Sequence, residues 1–205
     1  MNIEVKISEK PIDYKKSIEI LEQRVRDVSA GRKSEFLWIV EHKSVYTGGI
    51  RSEKSEIKDK NIKIIKTNRG GKYTYHGPGQ KIVYFVLNLN KREKDIRKLI
   101  NKIESCIIKI LKEFKIKSYA DRKNIGIWVG GKKDSEKIAA IGIKIKKWIA
   151  YHGFSINIST DLSKYDSIIP CGIRNKGVTS FKKIGITKVD KINSVIVKNF
   201  LNTFR

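Results

Sequence analysis

Residues 69–87 read RGGKYTYHGPGQKIVYFVL, a glycine-rich stretch followed at once by an apolar run. The four glycines let the backbone turn with positive φ and approach a ligand closely. The same stretch supplies a cation, a hydroxyl, an imidazole and an amide, from Arg69, Thr74, His76 and Gln80. The apolar run has the length of a buried strand. The segment therefore predicts a ligand-binding loop that leads into a strand, with a plain glycine-rich hairpin loop as the alternative.

Apolar spacing on both sides of this segment predicts further helices and strands. Spacings of three and four residues indicate helices at Asp13–Val28, at Arg92–Phe114 and around Val189, Ile192, Ile196 and Phe200. Runs of strand length are Phe36–Val40, Lys81–Leu87, Ile125–Val129, Ile138–Ile145, Ile149–His152 and Ser155–Ile158. Gly130-Gly131 predicts a turn between two of these strands, so that a hairpin would carry Lys137.

The order of these elements predicts an α+β fold around a mixed β-sheet with packed helices, because strands and short hairpins are intermixed with helices without a regular β-helix-β alternation. At 205 residues, with no linker or internal repeat, the chain is expected to form a single domain over residues 1–205. No run approaches the roughly 18 apolar residues of a membrane span, and the N-terminus has no apolar stretch of signal-peptide length. We therefore expect a cytoplasmic protein with no membrane partner.

The chain is strongly basic, with a formal net charge of +24 from 45 basic and 21 acidic residues. Such a charge usually raises nucleic-acid binding as a first hypothesis. Here the lysines are spread along the chain and aromatic residues are not interleaved with them as stacking platforms. We therefore expect no nucleic-acid partner, and a basic surface that favours encounter with acidic proteins.

Three further motifs follow the glycine-rich segment: KIAAIG at 137–142, YHGFSIN at 151–157 and IPCG at 169–172. In this order, after R-G-G-x-x-T-Y-H-G-P-G-Q, they resemble the lipoyl(octanoyl) transferase family, and Glu41-His42 with Val45-Tyr46-Thr47 extends the likeness upstream. The resemblance implies the fold of biotin and lipoate protein ligases. It also implies octanoyl transfer, without a bound cofactor, from octanoyl-acyl carrier protein to a lysine of the lipoyl domains of 2-oxoacid dehydrogenases and related carrier proteins.

Transfer of an acyl group from a thioester to an amine favours a nucleophile that can hold the acyl group in between, as a thiolate does. Cys171 fits this role because it lies between a proline and a glycine and outside any periodic apolar stripe. The family places the lysine that activates its cysteine at Lys137, which on sequence alone would be another solvated lysine. A cation there would raise the thiolate fraction and move protons to the leaving thiol and from the attacking amine. The family's substrate-binding positions correspond to Arg69, Gly70, Gly71, Lys72, Tyr73, Thr74, Tyr75, His76, Ala140, Ile141, Gly142, Gly153, Phe154 and Ser155.

The second cysteine and the three histidines have simpler interpretations. Cys106 falls on the buried stripe of the second helix and predicts a core residue. The histidines match no metal-ligand spacing, so no metal site is expected. Groups expected to orient substrate or the reacting pair are His76, His152, Asn157 and Thr179, and backbone N–H groups near Gly142 or Gly172 are candidates for binding an oxyanion.

Two alternatives to the acyltransferase remain open. A lipoate or biotin protein ligase of the same fold would activate a free acid with ATP and would need no acylated cysteine, and a non-catalytic basic module would bind nucleic acid in a salt-dependent way without Cys171. The sequence also departs from the family pattern. Gly48-Gly49-Ile50 precede Arg51 where Leu-Gly-Arg is common, and Tyr165 stands where phenylalanine is usual.

Overall fold

The computed structural model of the protein describes residues 2–131, 134–173 and 176–205. Three helices occur in this part of the chain: α1 (Tyr14–Ser29), α2 (Ile96–Glu113) and α3 (Ile192–Phe204). The strands are β1 (Ile3–Ile7), β2 (Glu35–Val40), β3 (Val45–Gly48), β4 (Ile64–Lys66), β5 (Tyr73–His76), β6 (Gln80–Asn88), β7 (Tyr119–Ala120), β8 (Ile127–Val129), β9 (Glu136–Lys146), β10 (Ile149–Asn157) and β11 (Gly177–Val178). Among these residues no helix is both long enough and apolar enough to cross a membrane.

Two sheets form the framework. The larger has the strand order β1-β2-β6-β10-β9-β8-β7, with β11 paired to β9, and the smaller has the order β4-β3-β5. β1 and β2 are parallel, as are β9 and β11, whereas β2, β6, β10, β9 and β8 pair antiparallel. The predicted α+β fold around a mixed sheet is confirmed.

Both faces of the large sheet are covered, which explains why β6 reads as a continuous apolar run rather than an alternating one. Along β6, Val83, Phe85 and Leu87 pack against α2 and α3, whereas Tyr84 and Val86 pack against α1 on the opposite face. The larger core thus lies between the sheet and the α2–α3 pair, and α1 covers the other face.

The helices follow the predicted patterns, with two shifted starts. α3 begins at Ile192, so Val189, which the predicted spacing included, lies outside it. The Asp13 and Asp95 carboxylates cap α1 and α2 by accepting backbone N–H groups at 3.1 and 3.0 Å. Because Asp95 is the cap, α2 begins at Ile96 rather than at Arg92 as predicted, and Ile96 is exposed rather than buried. Cys106 is fully buried in the core, as predicted, and burial raises the pKa of its thiol to about 12.

Three strand predictions need correction. The two pieces predicted at Ile149–His152 and Ser155–Ile158 form one strand, β10, which continues through Gly153. Sequence reasoning broke it there because glycine interrupts a strand pattern. The glycine is needed for another reason: a Cβ atom at Gly153 would lie 1.9 Å from the Val83 carbonyl oxygen of β6.

The other two corrections concern the glycine-rich segment and the hairpin. Residues Tyr73–His76 form strand β5 of the small sheet, so the segment is a strand between two turns rather than a loop. β8 begins at Ile127 instead of Ile125, while β9 carries Lys137 as predicted. The turn was predicted at Gly130-Gly131 with the charged residues that follow, of which residues 132–133 lie outside the described residues.

Candidate active site

A slot of about 420 Å³ lies between the small sheet and the face of the large sheet that α1 covers. Thr74 and His76 of β5 form one wall, and Gly142 of β9 and Gly153 of β10 form the other. The sequence predictions are largely brought together here. The predicted substrate-binding residues that line the slot are Arg69, Gly70, Gly71, Lys72, Tyr73, Thr74, His76, Ala140, Ile141, Gly142, Gly153, Phe154 and Ser155.

Tyr75 was predicted to bind substrate but does not line this slot. Side chains of β5 alternate between its two faces, so Thr74 and His76 face the slot while Tyr75 turns to the opposite side. There it is buried in a small cluster with Tyr46 and Tyr165. Phe154 borders the slot and is also part of the main core.

Cys171 lies at one end of the slot in a short 3₁₀ turn, Pro170–Gly172. Its backbone has φ 56° and ψ 15°, in the left-handed region that costs a non-glycine residue free energy. Its side chain is half-buried, and it also borders a second, narrow cavity of about 10 Å³. The Gly172 N–H, a candidate oxyanion donor, is engaged within the turn, where it donates to the Ile169 carbonyl at 3.1 Å.

Lys137 borders the same narrow cavity as Cys171, together with Thr74, Ala140 and Ser155. It does not line the larger slot. Its side chain is buried, its Nζ atom donates to the Ile125 carbonyl at 3.0 Å, and Nζ lies 4.8 Å from the centre of the Trp128 indole. No carboxylate lies within 4 Å of this ammonium in the described ranges, and its hydrogen bond goes to Ile125 rather than to the Cys171 thiol.

A buried hydrogen-bond network connects the slot to the strand that carries Lys137. The Gln80 amide donates to the Asn157 side-chain oxygen at 2.8 Å, and the Asn157 amide donates to the Thr179 carbonyl at 2.9 Å. The Thr179 N–H in turn donates to the Lys137 carbonyl at 2.9 Å. At the other end of the network His76 Nδ1 bonds Gln80 Oε1 at 2.7 Å. Asn157 and Thr179 therefore link the slot to β9 through hydrogen bonds, and their predicted role in orienting substrate or the reacting pair stays a prediction.

Tyr165, one of the departures from the family pattern, takes part in this network. Its hydroxyl accepts from the Gln80 amide at 2.9 Å and donates to the Tyr75 carbonyl at 3.3 Å. Burial, and after it the charge that Cys171 would carry as a thiolate, raise the pKa of Tyr165. A phenylalanine at this position could make neither hydrogen bond, so the Tyr165 hydroxyl gives this chain two buried hydrogen bonds that the usual residue lacks.

Arg69 is the buried cation of the slot. Its guanidinium donates to the Thr47 carbonyl at 2.9 Å, to the Thr47 hydroxyl at 2.8 Å and to the Gly70 carbonyl at 3.0 Å, while Nε has no partner in the described structure. Burial lowers the pKa of Arg69, and charges on Tyr14 and Cys171 would oppose that shift. The guanidinium thus lies within electrostatic range of the candidate nucleophile.

The three histidines are buried around the slot, and none of them is hydrogen-bonded to a carboxylate among the described residues. His42 bonds the Ile12 carbonyl at 2.9 Å and the Tyr84 hydroxyl at 2.8 Å, and His152 bonds Asn68 Oδ1 at 2.9 Å. Burial lowers the pKa of His76 and of His152 to about 3, and the nearby charge of Arg69 adds to both shifts. Both imidazoles are therefore neutral at pH 7. In the described part of the chain, no group of three or more His, Cys, Asp or Glu side chains could hold a metal ion.

Gly48 and Gly49 also depart from the family pattern, and their lack of side chains lets the backbone pack closely against Arg69, Gly71 and Tyr73. A Cβ atom at Gly49 would lie 2.4 Å from the Gly71 carbonyl oxygen and 2.8 Å from Arg69 Nη1. A Cβ atom at Gly48 would lie 2.7 Å from the Tyr73 ring. The side chain usual at position 48 in the family therefore does not fit here unless Tyr73 moves.

Sequence reasoning missed several residues that shape the slot. Tyr14 lines it from α1 and stacks on His76 with 6.0 Å between ring centroids, and Tyr84 lines it from β6. Both had been counted only as apolar positions, and their hydroxyls were the available signal. Thr47, the acceptor for Arg69, stood inside the Val-Tyr-Thr motif without a role. Arg51 and Lys123 also line the slot, as exposed cations near Cys171.

Comparison with known proteins places this geometry in context. Residues 13–201 match the family model described as the lipoyl protein ligase A/B catalytic domain. The octanoyltransferase of Anaplasma marginale (strain Florida) is 41% identical over 205 residues, covering 98% of this chain and 96% of that protein. The octanoyltransferase of Ehrlichia canis (strain Jake) is 43% identical, with the same coverage.

Solved structures show the same fold at low sequence identity. A lipoate-protein ligase A bound with ATP has a TM-score of 0.78 at 17% identity and covers 99% of this chain and 85% of its own. A bipartite lipoate protein ligase from Thermoplasma acidophilum has a TM-score of 0.79 at 16% identity, covering 99% and 84%. The predicted likeness to lipoate ligases is confirmed at the level of the fold.

Proposed function

This chain belongs to the lipoyl protein ligase A/B catalytic domain family, and on that premise we propose that it is an octanoyltransferase that holds the acyl group as a thioester on Cys171. Residues 1–205 would act as one catalytic domain. The donor would be octanoyl-acyl carrier protein and the acceptor a lysine of a lipoyl domain, which makes the reaction a step of lipoate biosynthesis. The two unpaired thiols suit the reducing cytoplasm in which we place the reaction.

The observation that carries this proposal is the position of Cys171. It sits in a left-handed turn where the acyl-sized slot meets the narrow cavity of Lys137, with the Arg69 guanidinium within electrostatic range. A structural cysteine needs none of these features, as Cys106 in the core illustrates. Arg69 is a buried cation of the same slot and Lys137 a buried cation of the same narrow cavity, and a thiolate is the nucleophile in acyl transfer.

The first step forms the acyl-enzyme. The Cys171 thiolate attacks the thioester carbonyl carbon, the bond from that carbon to the donor sulfur breaks, and the departing thiolate takes a proton from the Lys137 ammonium. The side chain of Lys137 must turn from the Ile125 carbonyl toward the sulfur for this transfer. The products are octanoyl-Cys171, neutral Lys137 and the free thiol of the carrier.

The second step releases the acyl group to the acceptor. Neutral Lys137 takes a proton from the acceptor ammonium, the resulting amine attacks the thioester carbon, and the Cys171 thiolate leaves. The second amine proton passes to solvent. The enzyme returns to a thiolate and an ammonium, and the net products are an octanoyl amide, a thiol and one proton.

Both carriers would approach the Cys171 end of the slot. Arg51 and Lys123 are exposed there, without an ion pair in the described ranges, beside Ile125, which is 42% exposed. Exposed cations around an apolar patch suit an acidic protein with an apolar contact of its own, and opposite charge speeds encounter. In this proposal, Arg51 and Lys123 are the part of the chain's basic surface that attracts the acidic carrier to the entrance of the slot.

The test is the intact mass of the protein after incubation with octanoyl-acyl carrier protein. We expect a hydroxylamine-labile octanoyl adduct that Cys171→Ser abolishes and that the matched variant Cys106→Ser retains. Lys137→Ala should fold and should form the adduct at least about a hundredfold more slowly, the usual minimum for loss of a general acid–base group. An undiminished acylation rate in Lys137→Ala would remove that residue from the mechanism.

The competing function is an ATP-dependent ligase, which the fold of a ligase bound with ATP favours. It predicts no adduct from the carrier thioester, and an acyl-adenylate once ATP and free octanoate are supplied. A non-catalytic nucleic-acid module predicts neither product, and salt-dependent RNA or DNA binding that survives Cys171→Ser. The same protein samples therefore discriminate among the three functions.

A further inference from the structure

A second cavity, of about 870 Å³, lies behind the slot and has no part in the chemistry above. We call it the rear cleft. It lies between α1 and the turn that joins β9 to β10, and it is open to solvent through several exposed side chains. Residues that line it include Glu22, Arg26, Ala30, Asn68, Lys144 and Tyr151.

One side-chain pair stands between the two cavities. His152 lines the slot, Asn68 lines the rear cleft, and the His152 Nε2–H donates to Asn68 Oδ1 at 2.9 Å. The Asn68 amide is held in turn by the Glu22 carboxylate, to which Nδ2 donates at 2.8 Å. His152 is buried and has a left-handed backbone, φ 67°. The pair therefore separates the slot from the rear cleft. It is held in place on one side by the buried backbone of His152 and on the other by the Glu22 carboxylate.

We propose that the Asn68–His152 pair is the rear wall that sets the length of the acyl chain this enzyme accepts. The inference rests on the proposed function, because it takes the acyl group to start at Cys171. The carrier arm must leave through the exposed end beside Arg51 and Lys123, so the acyl chain extends the other way, over the wall formed by Gly142 and Gly153 and toward His152.

The length of the slot agrees with eight carbons. Ser155, which shares the narrow cavity with Cys171, lies three residues along β10 from His152, or about 10 Å at the usual strand rise. An extended chain advances roughly 1.2 Å per bond, because a residue of three backbone bonds spans at most about 3.6 Å. The seven carbon–carbon bonds of an octanoyl group therefore span about 8 Å, which with its terminal methyl fills the slot.

Longer chains meet the wall. The eleven carbon–carbon bonds of a dodecanoyl group span about 13 Å, which exceeds the slot length of about 10 Å by roughly 3 Å. Without the Asn68 side chain the His152 imidazole would lose the hydrogen bond that holds it and could turn aside, so that the slot would open into the rear cleft, whose walls include Ala30 and Ile145. Each further CH₂ buried there would strengthen binding by up to about fourfold, as transfer from water predicts.

The experiment compares acylation rates of the full chain with carrier-bound acyl groups of 8, 10, 12 and 14 carbons, read as adduct mass on Cys171. The variants are Asn68→Ala and, as a matched control at an exposed position of α3 that lines neither cavity, Asn202→Ala. We expect the unmodified protein and Asn202→Ala to lose at least about tenfold in rate between 8 and 12 carbons. Asn68→Ala should keep the 8-carbon rate within about threefold and should accept 12 carbons nearly as well.

Glu22→Ala, a change on the partly exposed side of α1, serves as the second variant. It frees Asn68 without removing a buried group, and we expect an intermediate shift toward 10 and 12 carbons. If Asn68→Ala does not fold, the length profile of Glu22→Ala tests the rear-wall proposal in its place. Normal 8-carbon acylation with an unchanged length profile in the folded variants would overturn the rear-wall proposal. Absence of an adduct at every length in the unmodified protein would instead overturn the proposed function.

Discussion

Acid should destabilise this protein well before its carboxylates titrate, because His76 and His152 are buried as neutral imidazoles. Burial lowers both pKa values from 6.5 to about 3. A group with a depressed folded-state pKa binds more protons in the unfolded chain, so its stabilisation is present above pH 6.5 and is lost as the pH falls toward 3. Between pH 7 and pH 5 each of the two histidines should cost about 1.9 kcal/mol, or about 4 kcal/mol together.

The window from pH 7 to pH 5 isolates the histidines. The carboxylates whose pKa values are lowered by hydrogen bonds and ion pairs titrate below this window, so their contribution is lost only at more acidic pH. They are Glu4, Asp27, Glu113, Asp121 and Asp161. His42, whose pKa burial also lowers, adds to the loss with the same sign, and Glu104, whose pKa burial raises, opposes it.

The measurement is urea unfolding at pH 7, 6 and 5, with the imidazole resonances followed by NMR over the same range. His76→Gln and His152→Gln each remove one titrating group and should each reduce the pH dependence by about half, whatever they do to stability at pH 7. A free energy of unfolding that changes by less than about 1 kcal/mol between pH 7 and pH 5, or imidazoles that titrate near 6.5, would refute the reasoning.

Two substitutions test the packing around the slot. Gly153→Ala should cost about 3–5 kcal/mol and lower Tm by roughly 10 °C, because its Cβ must move about 1.5 Å from the Val83 oxygen to reach an ordinary contact of 3.4 Å and so breaks β6–β10 hydrogen bonds. The control Gly131→Ala has open space and should change stability by less than about 0.5 kcal/mol; equal effects in thermal unfolding would contradict the packing argument. Tyr165→Phe should cost about 1–2 kcal/mol in urea unfolding, since the Gln80 amide loses an acceptor in a buried network, and no change would show that the hydroxyl contributes nothing net.

Much of the fold could be predicted from periodicity, because the strongest patterns belong to elements with a single buried face or two fully buried faces. The stripe of α2 and the apolar run of β6 are such cases. The short strands β3 and β5 were missed, since their pairing depends on partners far along the chain. Gly153 was misread for the same reason: its strand continues because of the Val83 carbonyl on a neighbouring strand, which no local pattern contains.

The candidate site was predictable where a motif carries the chemistry and not where packing does. Cys171 and the glycines of the slot walls stand in motifs, and the structure brings them together. Asn68 and Tyr84 belong to none of the quoted motifs. They stand out only because the folded chain places Tyr84 at the slot and Asn68 at the rear cleft. Their roles follow from the packing of α1 against β6 and β10, which sequence spacing does not encode.

The charges of the site explain why a cysteine suits it. Arg69 and Lys137 are buried without a carboxylate within 4 Å in the described part of the chain, and the neighbouring His76 and His152 are neutral. The proposed mechanism would place one negative charge, a thiolate on Cys171, beside these buried cations, whose burial without a counter-charge is costly. Acylation by that mechanism would remove the charge from the sulfur while Lys137 gives up its proton, so the net charge of the buried site would not change. Transfer of the acyl group to an amine would restore the thiolate and the ammonium together, so neither proposed step would leave a buried charge newly uncompensated.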